Sequence, residues 1–214
     1  MKRLGRRTVL EVGGYAAGVI LVAFGIAAIV LGMTGRSTVA DSLKQEYIVG
    51  GSDMNPTAIA TAAREAGLPP DIELPTCDVA DEPITSGGEA RCFAEYMRIH
   101  ALEATDGLTY AQLPRFATED GQGTNDPAQA LTGDNGQPVS NPIREVWITE
   151  TALATALNSS YMGERLAFFG IVVGIALLLT GIGFLVLAAA VFRRRSLDPT
   201  APAPVETREP LTTA

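Results

Sequence analysis

The chain has 214 residues, 47% of them hydrophobic and 19% charged, with a formal net charge of −8. Its apolar residues are bunched: residues 12–33 and 166–192 contain no Asp, Glu, Lys or Arg. These runs exceed the ~18 apolar residues that read as a membrane span, which excludes an ordinary cytosolic enzyme and, with so much apolar surface to hide, a disordered chain.

In chain order, residues 1–11 are a basic N-terminus carrying Lys2, Arg3, Arg6 and Arg7. Residues 12–33 are the first predicted transmembrane helix, residues 34–165 an outer domain, and residues 166–192 the second transmembrane helix. Residues 193–214 are a Pro-containing tail, expected to be disordered and cytoplasmic. Positive residues near a span are retained in the cytoplasm. Arg6 and Arg7 before the first span, and Arg193, Arg194 and Arg195 after the second, therefore set the topology. The expectation is a multi-pass plasma-membrane protein with both termini cytoplasmic. A competing reading takes Arg6-Arg7 as part of a twin-arginine export signal, with cleavage after Ala40. A run of 22 residues is longer than the ~7–15 of a signal's apolar core and favours a retained anchor.

Spans associate through small residues, because lipid is as apolar as Leu. In the first span Gly14, Gly18, Gly25 and Gly32 follow steps of four and seven, which keep them on one helix face. Gly170, Gly174 and Gly181 repeat this in the second, and Ala188 continues the series. The two grooves suit either a hairpin within the chain or contact with another copy or protein. Neither span carries a charged residue, so both read as anchors rather than an ion pathway.

The outer domain holds 8 basic and 20 acidic residues, so the protein's acidity lies there. Nucleic acid is excluded as a partner, because its phosphates need Lys and Arg. Helix starts are frequent. Asn55-Pro56 opens one that Gly67 ends. Ser86 with Glu89 has capping-box spacing for a helix of about 88–105, and Asn141-Pro142 opens a third that either breaks or runs into the second span. Residues 118–142, rich in Gly, Asn, Asp and Pro, form a long loop in which Asp126-Pro127 predicts a single helical turn. The fold expected is an all-α membrane protein: two antiparallel transmembrane helices and a small, mainly helical extracytoplasmic domain with one disulfide.

That disulfide joins Cys77 and Cys92, the only cysteines, which the topology places where such bonds persist. Free thiols or a metal pair are the alternatives. His100, the only histidine, can share a helix side with Cys92 and Tyr96, with Glu95, Glu103 or Asp106 to orient it. One histidine makes a poor metal site, and no G-x-S-x-G, P-loop, dinucleotide fingerprint or EF-hand spacing occurs. No metal, cofactor or catalytic residue is therefore assigned.

The segments LKQEYIVG at 43–50, LPTCDVA at 74–80, ARCFAEYMRIH at 90–100 and WITETAL at 147–153 resemble a bacterial two-span membrane family of unknown function. Some of its members carry the label aromatic ring-opening dioxygenase small subunit. Ring opening of that type takes iron held by two histidines and a carboxylate. This chain has one histidine, and the resemblance supplies no catalytic residue. The expected function is a non-catalytic membrane-anchored interaction or accessory module of the cell envelope. Its expected partners are the lipid bilayer and an envelope or membrane protein, or a second copy of itself. The alternatives are an envelope enzyme using His100 with nearby carboxylates, and a small subunit of a membrane transport complex.

Overall fold

The computed structural model describes the backbone of residues 6–196 and the side chains of residues 12–190. The tail expected to be disordered and the side chains of Arg6, Arg7, Arg193, Arg194 and Arg195 lie outside the described residues. Among the described residues there are four α-helices: α1 (Arg6–Gln45), α2 (Pro56–Glu65), α3 (Gly87–Ala104) and α4 (Arg144–Ser196). A single 3-10 turn, Pro127–Gln129, follows α3. Strand-type pairing among the described residues is limited to isolated bridges.

The helix boundaries follow from local chemistry. The Asn55 side chain accepts the Ala58 N–H and Pro56 occupies the first turn, where its missing N–H costs nothing. At the other end, Gly67 at φ +69° turns the chain so that the Leu68 N–H reaches the Ala63 carbonyl. Helix α3 begins with a complete capping box between Ser86 and Glu89. It ends where Asp106 and Gly107 adopt positive φ and the Gly107 N–H returns to Leu102. The 3-10 turn sits where Asp126-Pro127 announces it, with the Asp126 side chain accepting the Ala128 N–H.

One boundary differs from expectation, and one alternative is decided. Helix α4 starts at Arg144, not Pro142, because Asn141 caps a preceding turn: its side chain accepts the Ile143 N–H and donates to the Pro114 carbonyl. From there α4 continues without a break through Asn158-Ser159-Ser160, whose side chains donate back to carbonyls four residues earlier and leave the helical ladder intact. At about 1.5 Å per residue, α1 and α4 each exceed the ~30 Å of a bilayer core. Only 17% of the most apolar window in either helix is buried, whereas a core helix of a soluble protein would be mostly covered.

The chain divides into two compact units. The first comprises Met1–Val30 and Ile171–Ala214, and the second Leu31–Gly170. In the first unit α1 and α4 run antiparallel at the separation of bare backbones. A Cβ on Gly25 would stand 2.7 Å from the Gly174 carbonyl oxygen, and one on Gly181 2.8 Å from that of Gly18. The Leu185 side chain lies over Gly18, Ile29 over Gly174 and Val22 over Gly181, so glycine at these positions is what permits the approach.

The second unit has its own apolar core. Ile59 and Ala63 of α2 and Tyr96, Ile99 and Leu102 of α3 meet Trp147 and Leu157 of α4, with Leu43 of α1 and the loop residues Val79 and Ile84 closing it. The segment after α1 is zipped to the segment before α3. Gly50 N–H donates to Glu82, Asp81 N–H to Gly50 and Ile84 N–H to Ile48. A Cβ on Gly50 would collide with the Val79 carbonyl oxygen, so this pairing needs glycine. The long loop is bonded to itself: Phe116 and Thr124 exchange both backbone hydrogen bonds, and Val139 links Ala117 to Leu131.

Candidate functional site

The disulfide joins Cys77 to Cys92, with the Cα atoms 6.1 Å apart. It ties the Pro-rich stretch before α3 to the second turn of α3 itself. Tyr96, one turn further along, is fully buried and its hydroxyl donates to the Cys77 carbonyl at 2.6 Å. Burial, reinforced by the charges of Asp78 and Glu95, pushes the Tyr96 phenol above its ordinary value, so it remains a donor. In sequence Tyr96 is legible at helical spacing from Cys92, but nothing there announces its bond to Cys77. Its place four residues after Cys92 is the pattern that puts the two on one face.

In the two series, Gly18, Gly25, Gly174 and Gly181 come closest to the opposite helix. Gly18, Gly25 and Gly32 of α1 are buried, as are Gly174, Gly181 and Ala188 of α4. Gly14 and Gly170 are half-buried. The seam is not uniform. A Cβ on Gly14 would meet only the Ala188 Cβ at 3.4 Å, an ordinary contact, whereas Gly25 and Gly174 each face the other's backbone. Within the second unit, a Cβ on Gly35 would meet the Ala167 methyl and one on Gly163 a Val39 methyl, each at 3.3 Å.

His100 lies between two carboxylates. Nδ1 is 2.9 Å from Glu103 Oε2, and Nε2 is 3.6 Å from Asp53 Oδ2. Of the three neighbours expected from sequence, Glu103 is the one found there. Asp53, 47 residues earlier, arrives through the turn preceding α2 and has no local sequence cue. Cys92 and Tyr96, expected on the same side, are buried in the core, while the His100 side chain keeps 31% exposure. Both ring nitrogens thus face acids, and among the described residues no Ser, Thr or Cys side chain pairs with the ring. The other Glu103 oxygen, Oε1, is buried without a hydrogen-bond partner. The arrangement links the loop before α2 to α3, and it presents no hydroxyl or thiol for the imidazole to activate. Among the described residues no group of three or more His, Cys, Asp or Glu converges to hold a metal.

Basic and aromatic side chains gather at the other end of α3, a feature that sequence reading missed. Gly87 packs against α4 so closely that a Cβ there would lie 2.8 Å from the Ser160 carbonyl oxygen and the Tyr161 Cα. One turn later, the Arg91 guanidinium sits 4.9 Å from the centre of the Tyr161 ring. Arg165, one turn along α4, approaches the same ring at 4.9 Å. The neighbouring guanidinium of Arg165, with that of Arg91, pulls the Tyr161 phenol below its usual value. Arg36 of α1 pairs with Glu164 at 3.2 Å, and Arg91 with Glu95 at 3.0 Å. Among the described residues Arg165 pairs with no carboxylate.

The fold and these contacts define an all-helical protein with two long apolar helices and one disulfide. The chain matches no family model, no curated protein and no solved structure.

Proposed function

We propose that the protein is a membrane-anchored, non-catalytic interaction module of the bacterial cell envelope. In this reading α1 and α4 span the plasma membrane, both termini are cytoplasmic, and the acidic disulfide-tied domain stands outside. The observation carrying it is the pair of long apolar helices whose most apolar windows are only 17% buried. That much uncovered apolar surface is stable in lipid and not in water. The basic residues flanking the spans support the orientation, and the resemblance to a two-span bacterial family agrees with it. The outer domain, with its core closed by a disulfide and its surface acidic, has the properties of a soluble head that meets a partner. The two-sided engagement of His100 by Glu103 and Asp53 favours a structural role for that residue over proton transfer to a substrate.

Cysteine labelling in intact cells tests the topology. With a non-permeant maleimide, Ser52→Cys is expected to react at once and Thr200→Cys only after permeabilisation. Reaction of Thr200→Cys in sealed cells overturns the orientation. Chemical crosslinking of the full chain before gentle detergent extraction tests the interaction role. It is expected to yield a discrete species above the monomer, and recovery of monomer alone overturns that role.

A further inference from the structure

Three of the eight basic residues of the outer domain, Arg36, Arg91 and Arg165, gather around Tyr161 and Glu164. Helix geometry fixes the level of this cluster. Tyr161 precedes Leu166, the first residue of the charge-free run, by five positions, or about 7–8 Å of helix rise. If residues 166–192 span the bilayer, as proposed above, Tyr161 and Arg165 lie at the depth of the phospholipid headgroups. Tyrosine is enriched there, with its ring against the acyl boundary and its hydroxyl toward water. Gly87 completes the arrangement by letting α3 abut α4, which brings Arg91 to the same level from a different element.

The charge bookkeeping leaves room for an anion. Glu164 offsets Arg36 and Glu95 offsets Arg91, but these pairs are open to solvent, with both arginine side chains 51% exposed. Exposed pairs of this kind contribute little and exchange readily for a better acceptor. Arg165 has the Tyr161 ring and no carboxylate partner among the described residues. Each guanidinium can present a pair of parallel N–H donors to an oxyanion, a geometry that arginine satisfies and lysine does not.

We infer that Arg91 and Arg165, which both contact the Tyr161 ring, bind the phosphate of an anionic phospholipid headgroup on the outer leaflet. The domain as a whole, with 20 acidic residues against 8 basic ones, repels an anionic surface. This basic collar would therefore be the part of the domain's surface that meets the headgroup layer.

The inference rests on the membrane reading, and the test separates the two. The full chain is first reconstituted in phosphatidylcholine nanodiscs, and failure to insert overturns both. The inserted protein is then compared in discs of phosphatidylcholine alone and with phosphatidylglycerol. The pH at which Tyr161 ionises is read by absorbance difference against Tyr161→Phe. Phosphatidylglycerol is expected to raise that pH by about one unit, because a bound anion opposes the phenolate. In phosphatidylglycerol titrations of the protein in dodecyl maltoside, Arg91→Gln with Arg165→Gln is expected to weaken binding about tenfold. Should the double variant fail to fold, Arg165→Gln alone carries the test, with about a threefold loss expected. An unchanged Tyr161 transition in inserted protein overturns the inference and leaves the anchor reading standing. An equal shift from inorganic phosphate at the same concentration also overturns it, since the site would then recognise free phosphate rather than lipid.

Discussion

Glu89 shows how one carboxylate can hold a helix end and tie it to pH. Its Oε2 accepts N–H bonds from Thr85 at 2.8 Å and Ser86 at 2.9 Å, with the Thr85 hydroxyl at 3.2 Å. Partial burial opposes ionisation, but these bonds outweigh it and hold the Glu89 carboxyl below its ordinary value. A carboxyl with a lowered folded pKa adds stability above the unfolded value of about 4.3, and that contribution is lost as pH falls through the folded value. Glu89→Gln is therefore expected to lower stability by about 1 kcal/mol at neutral pH. The difference from the unaltered protein should shrink below pH ~4, as read by thermal unfolding across pH. The glycines of the seam are also unequal at this scale. Alanine at position 25 meets backbone at 2.7 Å and has nowhere to go, whereas alanine at position 14 meets one methyl group at 3.4 Å. Gly25→Ala is expected to cost roughly 1–3 kcal/mol by overpacking, and Gly14→Ala little or nothing, in unfolding measured in a neutral detergent.

Helix α3 is the element on which the outer domain is organised. It carries the capping box, one half of the disulfide, Tyr96 on the Cys77 carbonyl, and Ile99 and Leu102 in the core. Removing the disulfide with Cys77→Ser and Cys92→Ser should cost about 3 kcal/mol, because it frees a loop spanning 15 positions. Tyr96→Phe should cost about 1 kcal/mol for the lost donor. Denaturant unfolding of the three proteins checks both. Caps and breakers made α2 and α3 legible to within a residue or two, since Asn55, Ser86 and Gly67 act on their immediate neighbours. The start of α4 was misplaced by two residues because Asn141 also bonds to Pro114, a contact 27 positions away. Of the His100 site, Glu103 was legible at helical spacing, but Asp53 was not, because a turn delivers it. The arginine collar was invisible for the same reason: Gly87 creates it by packing against α4, and nothing around Gly87 announces that contact.

At the scale of the whole molecule the stabilising features fall into separate units. The disulfide and apolar core belong to Leu31–Gly170, and the Gly25–Gly174 approach belongs to the other unit. The residues touched by Gly25 and those touched by Cys77 do not overlap. Combining Gly25→Ala with Cys77→Ser and Cys92→Ser should therefore give additive losses to within about 0.5 kcal/mol. A larger coupling in the combined variant would reveal energetic communication that the local contacts do not account for.

The backbone-to-backbone seam also has a consequence for biosynthesis. Gly18 leaves the ribosome 163 positions ahead of Gly181. At about 5–20 residues per second this is a delay of roughly ten to thirty seconds. Throughout that interval the nascent first helix presents an unfilled furrow to every neighbour with a narrow face of its own. A short peptide copying residues 166–192, supplied during translation, should therefore capture the early helix, and should lose that ability once the second helix has arrived.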